Sequence, residues 1–441
     1  MMRISIYRRY AWPIATILIL AAGMAGGESQ STPDPGSTAL RDGNYKGAEG
    51  YYRKVLVQSP NSPEILSNLG IALQMQGKSS EAIHAFERAL KQKQMAHTYA
   101  LLAEEKCKTR DLEGARPMIA RILGEYFSES SILAIIAPCP LELDDPIQSV
   151  KVYEALLSYH AFPTDLALMQ LSKSYRKTAQ FFFQRLSKAP DSAIYISTIR
   201  EARDKASLNA RGAFETAARS SPYFRSDMDF SGAVARWREH PQDTALLYLL
   251  SVLSSEQSIR QVEICDDTYP NSPYLAQLKA EVLADQGHAD EAVAQYEGLM
   301  QTHPELPGLP YDLGMLFRKE RQWDKALDVF QKQLAKHPDD EQTAARVSEA
   351  LFESGRWKVL SEFLSPRVEA SNAPLWAVLD FADAMQNLDE PDRAIRVLAT
   401  AEQSYPSDKV VHYKLSRLYR RKGNTEQAEK ELKLFRALSS R

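Results

Sequence analysis

Residues 307–340 read PGLPYDLGMLFRKERQWDKALDVFQKQLAKHPDD, and their pattern returns through the last third of the chain. A small residue recurs there 34 or 68 residues apart, and a large apolar residue follows each one four positions later. The small residues are Ala292, Ala326, Ala394 and Ala428, with Leu360 at the remaining register position. The large residues are Tyr296, Phe330, Leu364, Leu398 and Leu432. Such a period predicts a stack of units that each contain two helices.

The same pattern occurs nearer the N-terminus, where Gly70 precedes Ala82 and Phe86. Small residues are needed where two helix backbones approach closely, and larger neighbours fill the space beside them. In this arrangement the chain resembles the tetratricopeptide repeat family. The resemblance implies an all-α fold, a right-handed α-solenoid of antiparallel helix pairs in 34-residue repeats. We expect about ten pairs with an irregular middle.

The repeat register divides the chain into five predicted segments. These are 1–27, a signal peptide or N-terminal anchor; 28–37, a flexible linker; 38–163, an N-terminal repeat array; 164–272, a degenerate repeat-like helical segment; and 273–441, a C-terminal array of five repeats. A repeat array grows by stacking neighbours, so its length does not require a central core.

The middle of the chain departs from the pattern. Pro138 and Pro140 predict a kinked or shortened first helix in the unit 130–163, because proline removes a helical hydrogen bond. No Gly or Pro interrupts Asp165–Lys188, which predicts one long helix or two helices joined by a very tight turn. Residues 243–270 are predicted to form a shortened helix pair.

Composition and motifs argue against several classes of site. A formal net charge of -3 shows no overall excess of positive charge of the kind that nucleic-acid-binding proteins carry. The eight histidines lack metalloprotease spacing, no Cys-x-x-Cys pair occurs, and neither a catalytic nor a cofactor motif is present, so we predict no metal, no cofactor and no catalytic residue. Residues 72–79 satisfy a permissive phosphate-loop pattern. They follow a predicted helix instead of a strand, which indicates a turn between two helices.

The family geometry implies that certain positions of the first helix in each repeat line a concave groove. In the C-terminal array the candidate partner-binding residues are Tyr311, Phe352, Trp376, Tyr413, Arg417 and Arg420. Aromatic side chains suit protein docking, and arginines suit acidic groups. The alternatives are that the aromatic residues pack internally and that the arginines are simply solvated. A heat-shock-chaperone tail is not expected as the ligand, because Glu64, Ser67 and Ile71 occupy positions of the family's carboxylate clamp.

These features favour a non-catalytic scaffold or adaptor of the cell envelope that binds a protein or peptide in the groove. The alternative is an envelope enzyme or enzyme subunit, for example a glycosidase or transferase, with its site in the irregular region 164–240. A continuous helical stack in that region would argue against the enzyme, and a polar cleft with convergent carboxylates would favour it.

The N-terminal segment predicts export to the periplasm or cell envelope. Arg8 and Arg9 precede an apolar run over residues 11–25, and small residues follow. The run is shorter than the roughly 20 residues that span a bilayer comfortably. We therefore expect either a cleaved signal peptide or an anchor in the inner membrane.

N-terminal sequencing of the protein recovered from cell fractions distinguishes these two outcomes. A cleaved signal gives a mature chain that begins between Gly23 and Glu28 and is recovered outside the cytoplasm. An intact Met1 in the membrane fraction shows that the segment is retained as an anchor. Recovery of an intact chain from the cytoplasm would contradict export.

Overall fold

The computed structural model describes residues 34–439, except residues 110, 161–162, 191, 194, 198–220, 224–227, 305, 307, 337, 339 and 371–372. The predicted signal segment 1–27 and the linker residues up to 33 lie outside the described residues. Within the described part of the chain there are 22 α-helices and no β-strand, so the fold is an all-α helical repeat. None of these helices is both long and apolar enough to cross a membrane.

The first ten helices are α1 Pro35–Arg41, α2 Tyr45–Gln58, α3 Pro63–Met75, α4 Ser79–Gln92, α5 Ala96–Lys108, α6 Leu112–Glu125, α7 Ser130–Ile136, α8 Cys139–Glu142, α9 Pro146–Ser158 and α10 Thr164–Leu186. The next six are α11 Phe230–Glu239, α12 Thr244–Thr268, α13 Pro273–Gln286, α14 Ala289–Thr302, α15 Leu309–Lys319 and α16 Trp323–Lys336. The last six are α17 Glu341–Glu353, α18 Trp357–Val368, α19 Leu375–Asn387, α20 Pro391–Ser404, α21 Lys409–Arg421 and α22 Thr425–Ser439.

Packing divides the chain into two compact units. The first comprises residues up to Val282 together with Gln301–Pro307, and the second comprises Leu283–Met300 and Gly308–Arg441. In both units, helices that follow one another along the chain pack together, as in α3 with α4 and α21 with α22.

Helix ends follow local sequence signals. Helix α1 begins at Pro35. The preceding residue, Asp34, caps it by accepting a hydrogen bond from the Ser37 amide. The predicted flexible linker 28–37 therefore overlaps the start of a helix by three residues. Between α3 and α4 the chain turns at Gly77, whose φ of 78° is a left-handed conformation that glycine adopts without a Cβ clash.

Small residues set the closest approaches between helices. A Cβ atom added to Gly70 would lie 2.4 Å from the Phe86 ring, and one added to Gly314 would lie 2.5 Å from the Phe330 ring. Phe86 and Phe330 are both fully buried. In both helix pairs, α3–α4 and α15–α16, the aromatic ring of the second helix thus fills the space beside the glycine of the first helix.

Proline shortens the helices of the unit 130–163, as predicted. Helix α7 ends at Ile136, before Pro138, and the four-residue helix α8 begins at Cys139. The prediction of a shortened pair over residues 243–270 is wrong, because α12 is one continuous helix of 25 residues. No Gly or Pro occurs within it, and the apolar residues of its N-terminal part, Ala245–Leu250 and Val252, are buried; the helix packs on α10.

Helix α10 is a single helix of 23 residues, one of the two predicted alternatives. Helix α13 packs with α10 and α12, because Leu275 and Leu278 are buried in one cluster with Leu168, Met169 and Cys265. Residues 273–282 therefore belong to the first unit, although the sequence pattern placed them at the start of the C-terminal array.

The repeats of the second unit keep the predicted register. Helices α15, α17, α19 and α21 begin within two residues of positions 307, 341, 375 and 409. Ala292, Ala326, Leu360 and Ala394 are fully buried, and Ala428 is 2% exposed. The spacing of small residues in the sequence thus identified the helix contacts of this unit.

A carboxyl group is buried in the first unit. Glu104 on α5 is 1% exposed and accepts a hydrogen bond of 3.1 Å from Gln74 Nε2 on α3. Burial, and then the neighbouring Glu105, raise the pKa of Glu104 to about 8. The folded chain therefore holds a proton at neutral pH that an unfolded chain would release.

We expect Gly314→Ala to lower the stability of the second unit by about 1–3 kcal/mol, because the new methyl group overlaps the Phe330 ring. Ala326→Leu should have an effect of the same sign, since Ala326 is fully buried. The control is Gly298→Ala, where an added Cβ meets no atom within 4 Å. That variant should be neutral or stabilised by about 0.5–1 kcal/mol. Denaturant titration measures both, and an unchanged midpoint for Gly314→Ala would contradict the close approach.

We expect Glu104→Gln to become more stable than the parent protein as the pH rises from about 5 to about 8. Over this window the unfolded chain ionises Glu104 while the folded chain keeps it protonated, so the parent loses stability with rising pH, by at most about 1.4 kcal/mol per pH unit. Glutamine stays neutral and keeps an oxygen that accepts from Gln74. Urea titrations at three pH values measure the difference, with the exposed Glu113→Gln as control. Parallel curves for parent and Glu104→Gln would contradict the buried, protonated carboxyl group.

Candidate functional site

Helix α21 presents an exposed basic and aromatic face. The helix is capped by Asp408, whose carboxylate accepts from the amides of Val410 and Val411 at 2.9 and 3.1 Å. Tyr413, Arg417 and Arg420 are exposed and follow one another at helical spacings of four and three residues, which places them on one side of the helix. We call these three residues the α21 face.

Tyr413 is held in position without being covered. Its side chain is 41% exposed. The ring centroid lies 5.2 Å from that of Phe435 on α22, and the Arg417 guanidinium carbon lies 5.8 Å from the Tyr413 centroid. A ring supported in this way offers contact area to a partner at low cost in side-chain entropy.

The two arginines of the α21 face differ from three basic residues nearby. Those residues form ion pairs with acidic residues about one repeat earlier in the sequence: Lys414–Asp383, Arg421–Asp389 and Lys422–Asp392. Among the described residues, no carboxylate lies within 4.0 Å of Arg417 or Arg420. The α21 face therefore carries positive charge that no carboxylate of the described residues pairs with.

Tyr311 does not belong to an accessible surface. It is only 2% exposed, its ring centroid lies 5.8 Å from that of Phe330, and its hydroxyl oxygen accepts from Gln342 Nε2 at 3.0 Å. The interpretation of Tyr311 as a partner-binding residue is corrected here. Its large ring packs between adjacent helices. This is the internal packing that the sequence analysis gave as the alternative to partner binding.

Phe352 and Trp376 are half-buried. Phe352 packs edge-on against Trp357 of the following helix, with ring centroids 5.0 Å apart. Trp376 lies in the first turn of α19. In the described part of the chain no ring contact joins either residue to Tyr413. The six predicted residues thus do not form one continuous site, and Tyr413, Arg417 and Arg420 are the exposed group.

The basic residues Arg318 and Lys319 of the second unit are engaged within the chain. Arg318 Nε donates to Glu349 at 2.8 Å, and Lys319 Nζ lies 3.9 Å from Asp285. Both are contacts between adjacent repeats. Their role in this structure is to link neighbouring repeats.

The apparent phosphate loop is a turn between helices α3 and α4, as predicted. Lys78 Nζ lies 2.7 Å from the carboxylate of Glu49 on α2. Burial raises the pKa of Glu49, but hydrogen bonds from Lys78, Arg53 and Gln76 outweigh that effect and lower the pKa to about 2. The lysine thus belongs to a polar cluster that joins α2 to the α3–α4 turn.

One group of potential metal ligands was missed by the sequence reasoning. Glu402, His412 and Glu431 are 10 and 19 residues apart and match no metal motif, yet α20, α21 and α22 bring them together. Their ligand atoms all lie within 4.8 Å of one another. No signal in the sequence identifies this group, because its members come from three separate helices.

Comparison with known proteins identifies the repeats. Residues 39–105 and 311–344 match two family models described as tetratricopeptide repeat. The first segment covers α2 to α4 and most of α5, and the second covers α15 and α16. No curated protein sequence matches the chain.

Solved structures with helical repeats also match. Yeast Tom70 is 14% identical over 92% of this chain and 91% of its own, with a TM-score of 0.36. YrrB, described as a TPR protein with an unusual peptide-binding site, is 18% identical over 40% of this chain and 91% of its own, with a TM-score of 0.33. MamA MSR-1 is 20% identical over 38% of this chain and 97% of its own, with a TM-score of 0.31. The two matched segments, with the helix pairs they form, are tetratricopeptide repeats.

Proposed function

We propose that the protein is a non-catalytic interaction scaffold whose α21 face binds an acidic segment of a protein partner. Tetratricopeptide repeats serve as modules that bind proteins or peptides, which supports the general class. The observation that carries the specific proposal is the lack of an acidic neighbour within 4.0 Å of Arg417 or Arg420, among the described residues, beside an exposed tyrosine.

The chemistry of the α21 face favours an acidic partner. Guanidinium groups bind carboxylates through paired hydrogen bonds, and tyrosine and arginine are enriched among residues that dominate binding energy. Asp380 and Asp383 lie on helix α19. Asp383 pairs with Lys414, and Asp380 accepts a hydrogen bond of 2.7 Å from Ser348 Oγ. These acids are already engaged, so the free positive charge of α21 remains for a partner.

The alternative to a scaffold is an enzyme with its site in the region 164–240. Its described part contains α10 and α11, and α10 is packed along α12 by apolar side chains. Residues 198–220 and 224–227 of the alternative enzyme site lie outside the described residues. The support for a non-catalytic role is the repeat family itself, whose members are generally interaction modules.

We also propose that the scaffold acts in the cell envelope. The support is the charged start and apolar run of residues 1–27, a pattern typical of export signals. An envelope location makes the partner an exported or membrane-attached protein with an accessible acidic stretch.

The test is capture of partners from an envelope extract by the parent protein and by the variant Arg417→Glu/Arg420→Glu. The variant should recover the specific partner at least about 10-fold less well, because two attractive contacts become repulsive. Binding by the parent should weaken as salt is raised, since exposed charges are screened. Tyr413→Ala is expected to weaken binding without altering the salt dependence.

The matched control is Lys430→Glu/Lys433→Glu on α22. Both lysines are exposed, and the two variants change the net charge by the same amount. The control should recover the partner as well as the parent does. If both variants lose the partner equally, net charge and not the α21 face governs binding; if neither loses it, the partner binds elsewhere.

A further inference from the structure

The last three helices bring a histidine and two carboxylates to one point. His412 Nδ1 on α21 lies 2.7 Å from Glu431 Oε2 on α22 and 4.0 Å from Glu402 Oε1 on α20. His412 is 2% exposed, and the side chain of Glu431 is 3% exposed. The side chain of Glu402 is 30% exposed, so the group is buried but reachable from solvent on one side.

The imidazole ring is oriented by the backbone. His412 Nε2 lies 3.0 Å from the carbonyl oxygen of Pro406. A carbonyl only accepts hydrogen bonds, so Nε2 carries a hydrogen and donates it. The second nitrogen, Nδ1, is thereby directed at the two carboxylates. Histidines that bind metals in proteins are commonly held in this way, with the remote nitrogen donating to a backbone carbonyl.

The charge of the group favours a dication over a proton. With an imidazolium ion, the buried His412 and Glu431 balance each other, and the partly exposed Glu402 leaves the group with one net negative charge. No lysine or arginine within the described residues lies within 4.0 Å of Glu402 or Glu431. A dication bound to neutral imidazole would balance both carboxylates.

We propose that Glu402, His412 and Glu431 form a binding site for a divalent transition-metal ion of the zinc class. One imidazole nitrogen and two carboxylate oxygens are a donor set that zinc accepts, with water at a fourth position. Tetrahedral zinc with ligands at about 2.0–2.2 Å separates its ligand atoms by about 3.3 Å. The present separations of 2.7 and 4.0 Å lie on either side of that value. Small side-chain adjustments therefore suffice.

The site has a structural consequence that is independent of partner binding. An ion held by α20, α21 and α22 ties the last repeat to the helix before it. His412 and Glu431 are buried and Glu402 lies on α20, whereas Tyr413, Arg417 and Arg420 are exposed on α21. Loss of the metal should therefore lower the stability of the second unit without removing any residue of the α21 face.

The first experiment uses the full chain, treated with a chelator and dialysed. Zinc is titrated in by calorimetry, the bound metal is counted by atomic emission, and the thermal midpoint is measured with and without zinc. We expect one zinc per chain and a higher midpoint in its presence, because a ligand that binds only the folded state stabilises it. Magnesium and calcium, which prefer sites built of oxygen ligands, should not substitute.

The second experiment uses Glu402→Gln, because this side chain is partly exposed and the amide keeps its shape. We expect zinc affinity to fall about 10–100-fold and the zinc-dependent rise in midpoint to disappear. The control is His288→Gln, which removes an exposed histidine paired at 3.0 Å with a single carboxylate, Glu291. That variant should bind zinc as the parent does.

The wild-type chain loaded with cobalt(II) provides a test that needs no variant. A protein-bound ion with few ligands should give visible absorption bands that zinc abolishes by displacement. Absence of such bands, failure of the parent chain to retain one zinc, or equal zinc affinity of the parent and a folded Glu402→Gln would each overturn the site. In that case His412 and Glu431 form a buried ion pair with Glu402 beside it, and no metal binds.

Discussion

The close approach of two helices at a small residue is the contact on which the regular repeats depend. In the second unit the fully buried Phe330 ring occupies the space where a Cβ on Gly314 would lie, and Phe86 and Gly70 repeat this arrangement in the first unit. Because each helix pair buries its apolar face only against its neighbours, stability passes from one repeat to the next. A backbone moved outward at one such contact would also displace the apolar residues of the following helix.

Polar links between repeats follow from the same regular stacking. Since equivalent helices lie side by side, a basic residue can meet an acidic residue about one repeat earlier or later. Arg318 with Glu349, and Lys414 with Asp383, are examples about 31 residues apart. Exposed pairs of this kind contribute little stability individually. Such pairs engage Lys414, Arg421 and Lys422 near the last repeat, whereas no carboxylate of the described residues lies within 4.0 Å of Arg417 or Arg420.

The irregular middle has a different organisation because long helices replace short pairs. Helices α10 and α12 pack along much of their length, and α13 packs on them through Leu275 and Leu278. Lys173 and Arg176 on α10 both pair with Glu281 on α13, and the side chains of Lys173 and Glu281 are only 3% and 6% exposed. A charge left unpaired at this depth would be strongly destabilising. The pair therefore restricts which side of α13 can face α10.

The sequence by itself determined the helix pairs, the register of the C-terminal repeats and the effect of Pro138, because these depend on residues that are close along the chain. The absence of Gly and Pro from residues 165–188 predicted either one long helix or two joined by a very tight turn, and the structure contains the single helix α10. Tertiary structure alone decided that Tyr311 is buried and that, among the residues the structure describes, Arg417 and Arg420 lack an acidic partner, because both outcomes depend on side chains from neighbouring repeats. The meeting of Glu402, His412 and Glu431 likewise requires three helices to pack, and no spacing within one segment can encode it.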